Sequence, residues 1–253
     1  MSVDVDLAHG GRWTSLRVGG REWLWHRSAP RASVRPGDAF VDAGGVEECV
    51  PTVRGHPDHG SVWSRPWSAD GSVVTDEFSL SRTIRHVVDA VEVDYRLTAS
   101  PGYRFVWAAH ALLDVSADAR LIAPPGTPTR VYGRGPATET VAWPGHVGPG
   151  SADRSGSGRL DRLGPDDGTA VGAILACSAV RVVDGKSLSF RLEAEGQPAS
   201  VALWRNLRGW PEGDPYRSIG VEPMLGRVFD RAEGETAVVG ESGVCEWRLT
   251  VSA

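Results

Sequence analysis

The sequence predicts an all-β protein, a large antiparallel β-sandwich that residues 1–253 form as one domain. Apolar residues recur with period two in stretch after stretch, and no segment keeps a helical spacing for three turns. The 31 Gly and 17 Pro supply the many tight turns such a chain needs. No internal repeat of fixed period is present, which argues against a propeller. Two packed sheets remain, with function carried by loops or by one concave sheet face.

Each element follows from local pattern. Residues 13–18 and 21–25 alternate on either side of Gly19-Gly20, and two glycines accept the positive φ angles of a two-residue hairpin loop. Residues 82–88 and 91–99 alternate about Asp89-Ala90 as a second hairpin. Residues 180–183 and 187–192 flank Asp184-Gly185 as a third. Residues 199–203 continue the alternation, and 245–251 close it. Between strands, 123–128 and 144–150 are rich in Gly and Pro. The polar stretch 151–163, with Ser155-Gly156-Ser157-Gly158 inside it, reads as a mobile surface loop too short for a linker.

Composition excludes several partners. A net charge of −5, from 27 basic and 32 acidic residues, argues against the basic surface that nucleic acid or an anionic membrane requires. Cys49, Cys177 and Cys245 are odd in number and far apart, so neither a disulfide framework nor a zinc spacing is expected. The start, Met1-Ser2-Val3-Asp4-Val5-Asp6, lacks the basic and apolar regions of a signal peptide. No apolar run reaches about 18 residues. The expectation is a cytoplasmic protein, monomer or homodimer. Ten Trp against five Phe and four Tyr suit both a β core and stacking on sugars; the core is the default for most of them.

Chemistry-bearing residues concentrate in three places. The block 44–51 leads to 58–67 through a density of Gly, Pro, charge and Trp that is poor strand material and good binding-loop material. There, Gly60 after His59 lets backbone approach a ligand. Trp63 and Trp67 offer faces for a pyranose, and Glu48 and Arg65 offer polar groups for hydroxyls. The plainer reading is a structured loop over one sheet end, its tryptophans lids on the core. His110 stands in the apolar run 105–113, where an unpaired ring costs about 1–3 kcal/mol. It must be hydrogen-bonded or line a cavity. Glu222, among Ile219, Val221, Met224 and Leu225, must face a cleft or pair with an arginine such as Arg217 or Arg227. Pro223 holds its backbone in a non-helical form. Taken singly, each is as readily a satisfied core residue. Together, a carboxylate base and imidazole acids suffice to move protons on a neutral substrate without metal or cofactor. His9, His26, His56, His86 and His146 show no metal-ligand spacing, and neither a P-loop nor a G-x-S-x-G elbow occurs. No cofactor is expected.

The ordered trio of His59-Gly60 followed by tryptophan, Trp107-Ala108-Ala109-His110, and Gly220-Val221-Glu222-Pro223 with Gly226 resembles the galactose mutarotase (aldose 1-epimerase) superfamily. The match is sharp in those three stretches and loose over the rest of the chain. The resemblance implies a β-supersandwich with a sugar in an open cleft. It implies Glu222 as general base, His110 as general acid and His59 as a substrate-binding histidine. The family's early-strand arginine has Arg27, Arg31 and Arg65 as candidates here. Its substrate-binding aspartate has Asp166, Asp167 and Asp214, by order only. The insert 206–211 before the glutamate places Trp210 where it can cap the cleft. A non-catalytic sugar-binding protein, an isomerase or lyase acting on a modified sugar or other cyclic hemiacetal, and a purely structural sandwich are the competing readings.

Overall fold

The computed structural model of the protein describes residues 1–132, 138–145 and 158–253. Most of the expected loop at 151–163, and His146, lie outside the described residues. The predicted all-β class is observed, the only helical pieces among the described residues being the 3₁₀ turns Leu7–His9 and Arg31–Ser33.

Two large antiparallel sheets face each other. The larger runs in the spatial order Ser2–Asp6, Arg12–Val18, Val46–Cys49, Trp107–Leu113, Arg217–Leu225, Ala199–Leu207, Ala170–Leu175, Pro128–Tyr132, Thr138–Ala142, with Arg21–Glu22 paired to Arg12–Val18. The smaller runs Arg120–Ile122, Ala179–Asp184, Lys186–Glu193, Val244–Ser252, Ala90–Ala99, Phe78–Val87, Ser72–Val74. The main core fills the space between them, where Trp13, Leu16, Trp107, Val221, Leu80, Tyr95 and Leu249 are buried.

The hairpins follow their turn chemistry. Gly19 and Gly20 have φ of 58° and 79°, and the pair Val18↔Arg21 closes the first. Its second arm is shorter than the alternation suggested. Beyond Glu22 the Trp23 N–H still donates to Leu16 O at 3.0 Å, and the Glu22 carboxylate also accepts from the N–H groups of Leu16, Trp23 and Leu24. Leu24 then bridges to Leu113. The second hairpin turns at Val88-Asp89, one residue earlier than expected, with Val87↔Ala90 the last pair. Asp89, at φ 55°, takes the left-handed position that Asp tolerates better than most residues.

The block 44–51 departs most from expectation. Val46–Cys49 is a fully buried strand inside the large sheet, and strand alternation sends its two glutamates to opposite faces. Glu48 points between the sheets, where it accepts from Arg82 of the opposite sheet, from Tyr95 Oη at 2.9 Å and from Trp107 Nε1 at 2.7 Å. Glu47 points outward and pairs with Arg31 at 3.0 Å. Its burial outweighs the attraction of Arg31 and Arg12 and lifts its pKa to about 8. Glu48 is tolerated in a central strand because Arg82 arrives from the opposite sheet to meet it.

Candidate active site

Period two also builds the site. On Trp107–Leu113, residues 107, 109, 111 and 113 join the inter-sheet core, so His110 faces the outer side. On Arg217–Leu225, Ile219, Val221 and Leu225 point inward, so Gly220 and Glu222 share that outer face. The pairs Gly220↔Leu112 and Met224↔Ala108 set the register that puts Glu222 opposite His110. Pro223 has no N–H to give, and the ladder between these strands is interrupted between residues 220 and 224. The two functional groups therefore sit at a gap in the main-chain bonding of the sheet.

They approach closely. His110 Nε2 lies 3.7 Å from Glu222 Oε1, an ion-pair separation longer than a hydrogen bond, and both side chains are at least nine-tenths buried. Burial pushes the Glu222 carboxyl above its ordinary range, and the attraction of His110 opposes that only in part. His59 completes the group: its ring meets that of His110 edge-on at 5.2 Å between centroids. Phe40 stacks on the other side of His59 at 3.6 Å and nearly parallel. Burial and the neighbouring His110 hold the His59 pKa below its usual value against the pull of Asp58, whose Oδ2 is 3.1 Å from His59 Nδ1. His59 is thus disposed to be neutral.

These groups line a cleft of about 480 Å³ bounded by Phe40, Asp42, Val53, Arg54, Asp58, Leu112, Tyr132, Gly172, Trp204, Trp210, Tyr216 and Phe229, a size suited to a small molecule. Its floor is the outer face of the large sheet. One wall is stiffened by the Tyr216 phenol, which donates to Asp42 Oδ2 at 2.6 Å. That ring stacks on Trp25 at 5.6 Å and carries the Arg27 guanidinium 4.4 Å from its centroid. Trp210, half exposed, meets Trp204 and Tyr216 edge-on. Among the described residues, no three His, Cys, Asp or Glu side chains gather as a metal-holding group.

Of the residues singled out from sequence, Glu222, His110, His59 and Trp210 line this cleft. Glu48, Trp63, Arg65 and Trp67 do not, which corrects their expected contact with a sugar. Glu48 is fully buried between the sheets. Trp63 and Trp67 are core tryptophans carrying the guanidiniums of Arg31 and Arg82 at 4.9 and 4.7 Å, the plainer reading of that block. Arg65 donates to Ser61 O at 3.1 Å. Gly60 serves chain packing rather than a ligand: at φ 79° a Cβ there would stand 2.1 Å from Val50 O. Of the family's arginine and aspartate candidates, Arg27 lies against the cleft wall, on the Tyr216 ring, and the others lie elsewhere. Arg31 pairs with buried Glu47, Asp166 with Arg208 and Arg217, and Asp167 with Arg205; Asp214 is exposed. Phe40, Asp42, Arg54 and Tyr216 were missed because no local pattern marks them; only the folded chain brings them to one wall.

No family model matches the sequence, and no curated protein matches it. Solved structures do share its fold. A provisionally assigned aldose 1-epimerase from Klebsiella pneumoniae superposes with a TM-score of 0.69 at 13% identity, over 99% of this chain and 76% of that one. A second provisionally assigned aldose 1-epimerase, from Escherichia coli K12, gives 0.68 at 15% identity, over 99% and 94%. A galactose mutarotase-like protein from Lactobacillus casei gives 0.60 at 17% identity, over 99% and 96%. The chain has the galactose mutarotase-like β-sandwich fold.

Proposed function

We propose that the protein is an aldose 1-epimerase, interconverting the anomers of a sugar by general acid–base ring opening and closure. The observation that carries this reading is the buried Glu222 carboxylate 3.7 Å from the His110 imidazole on the floor of a sugar-sized cleft. A base and an acid so close can address two oxygens bonded to one carbon, the anomeric hydroxyl and the ring oxygen of a hemiacetal. Glu222 takes the hydroxyl proton while His110 protonates the ring oxygen. The C1–O5 bond breaks, the aldehyde turns about C1–C2, and the reverse transfers close the ring on either face. His59, neutral and held between Phe40 and His110, donates to the substrate near the ring oxygen.

Burial serves this chemistry. A carboxylate lifted above its ordinary pKa is a stronger base. Asp42 supports binding: one oxygen accepts from Tyr216 and the other from the Gly44 N–H at 3.1 Å, and a carboxylate retains further lone pairs for sugar hydroxyls. Asp42→Asn is expected to raise KM roughly tenfold or more, the loss of one charge-assisted hydrogen bond of about 1.5–3 kcal/mol, with kcat changed less.

The test is optical rotation of freshly dissolved α-aldoses, glucose and galactose first, with the pure protein. Equilibration faster than in buffer alone supports the reading. Buffer rates across a panel of neutral and phosphorylated aldoses overturn it, and sugar binding by calorimetry without rotation change would favour a carbohydrate-binding protein instead.

A further inference from the structure

Gly220 occupies the outer face of Arg217–Leu225 two residues before Glu222, in one cross-strand row with Leu112 and Trp204. Its φ is not in the left-handed region, so the backbone here could carry any residue. A glycine inside a strand weakens the strand, and conformation does not account for it. Space does. A Cβ at this position would stand 2.6 Å from Glu222 Oε1, 3.0 Å from Trp204 Cβ and 3.3 Å from Leu112 Cδ2. The first of these atoms is the oxygen that faces His110 Nε2.

We propose that Gly220 is a positioning residue for the reaction: its missing side chain makes the berth in which the Glu222 carboxylate lies against His110. The inference rests on the acid–base reading of the site and adds to it a residue that touches no substrate. Trp204 Cβ, tied to the backbone of the neighbouring strand, closes the other side of the berth. An added methyl group therefore cannot move away from the carboxylate; the flexible glutamate moves instead. Because a strong base must stand within reach of one proton, a displacement of about an ångström lowers the rate without removing the base.

The test is a double-mutant cycle on the rotation assay with wild type, Gly220→Ala, Glu222→Gln and both together. Gly220→Ala is expected to lower kcat at least 30-fold with KM within threefold, and the double variant to be no slower than Glu222→Gln alone. A Gly220→Ala enzyme with kcat within threefold of wild type, or losses that multiply in the double variant, overturns the proposal. Should Gly220→Ala melt below the assay temperature, its melting point in a Glu222→Ala background decides the matter. Recovery toward that of Glu222→Ala alone identifies the carboxylate as what the methyl meets; no recovery identifies Trp204 and refutes the positioning role. An inactive wild type would instead refute the function, while the melting comparison still reports on the berth.

Discussion

Glu222→Gln is expected to lower kcat for anomer interconversion by roughly 10²–10⁴-fold, the usual worth of a positioned general base. The amide keeps the shape of the side chain and its place at the gap in the strand ladder, so melting temperature and sugar affinity should change little. The same group is expected to govern the pH profile of the wild type. Burial raises the Glu222 pKa, so the carboxylate is lost while the solution is still only mildly acid. In the wild type kcat/KM should therefore fall with decreasing pH through a midpoint above the ordinary carboxylate value. Activity in Glu222→Gln within a few fold of wild type would remove the residue from the mechanism, and a wild-type acid limb near pH 4 would contradict its burial.

The second large effect concerns the fold. Arg82→Ala would leave the Glu48 carboxylate buried between the sheets without its cation, since both side chains are almost wholly inaccessible. Breaking such a pair from one side costs about 3–5 kcal/mol, or roughly 6–20 °C in melting temperature for a chain of this size. Part of that loss should return in Arg82→Met with Glu48→Met, which leaves no unpaired charge. Recovery stays partial, because Tyr95 Oη and Trp107 Nε1 lose their acceptor. Thermal unfolding followed by circular dichroism reads both changes. A single variant melting within 2 °C of wild type would show that the pair contributes little.

Much of this was legible in the chain. Period-two alternation and glycine turns point to the sandwich, because a strand has one face to bury and must turn tightly to do so. His110 and Glu222 stood out as single polar residues in apolar runs, and alternation turns both onto the same outer face once the register is known. The register itself is not local: it joins residues more than a hundred positions apart. The same limit explains Glu48, which reads as binding-loop material until Arg82, Tyr95 and Trp107 arrive from elsewhere to satisfy it. Trp63 and Trp67 follow the same logic, as tryptophan serves a core and a sugar equally well. Asp42 and Tyr216 carry no motif, and their pairing exists only when the 42–44 turn meets the segment before Arg217.

The direct trial of the central claim is a crystal structure with a bound aldose that the protein mutarotates. C1 of the sugar is expected over the Glu222–His110 pair, with the anomeric oxygen within about 3.2 Å of the carboxylate and the ring oxygen within the same reach of an imidazole. A sugar seated elsewhere, with its anomeric carbon turned away from Glu222 and His110, would contradict it.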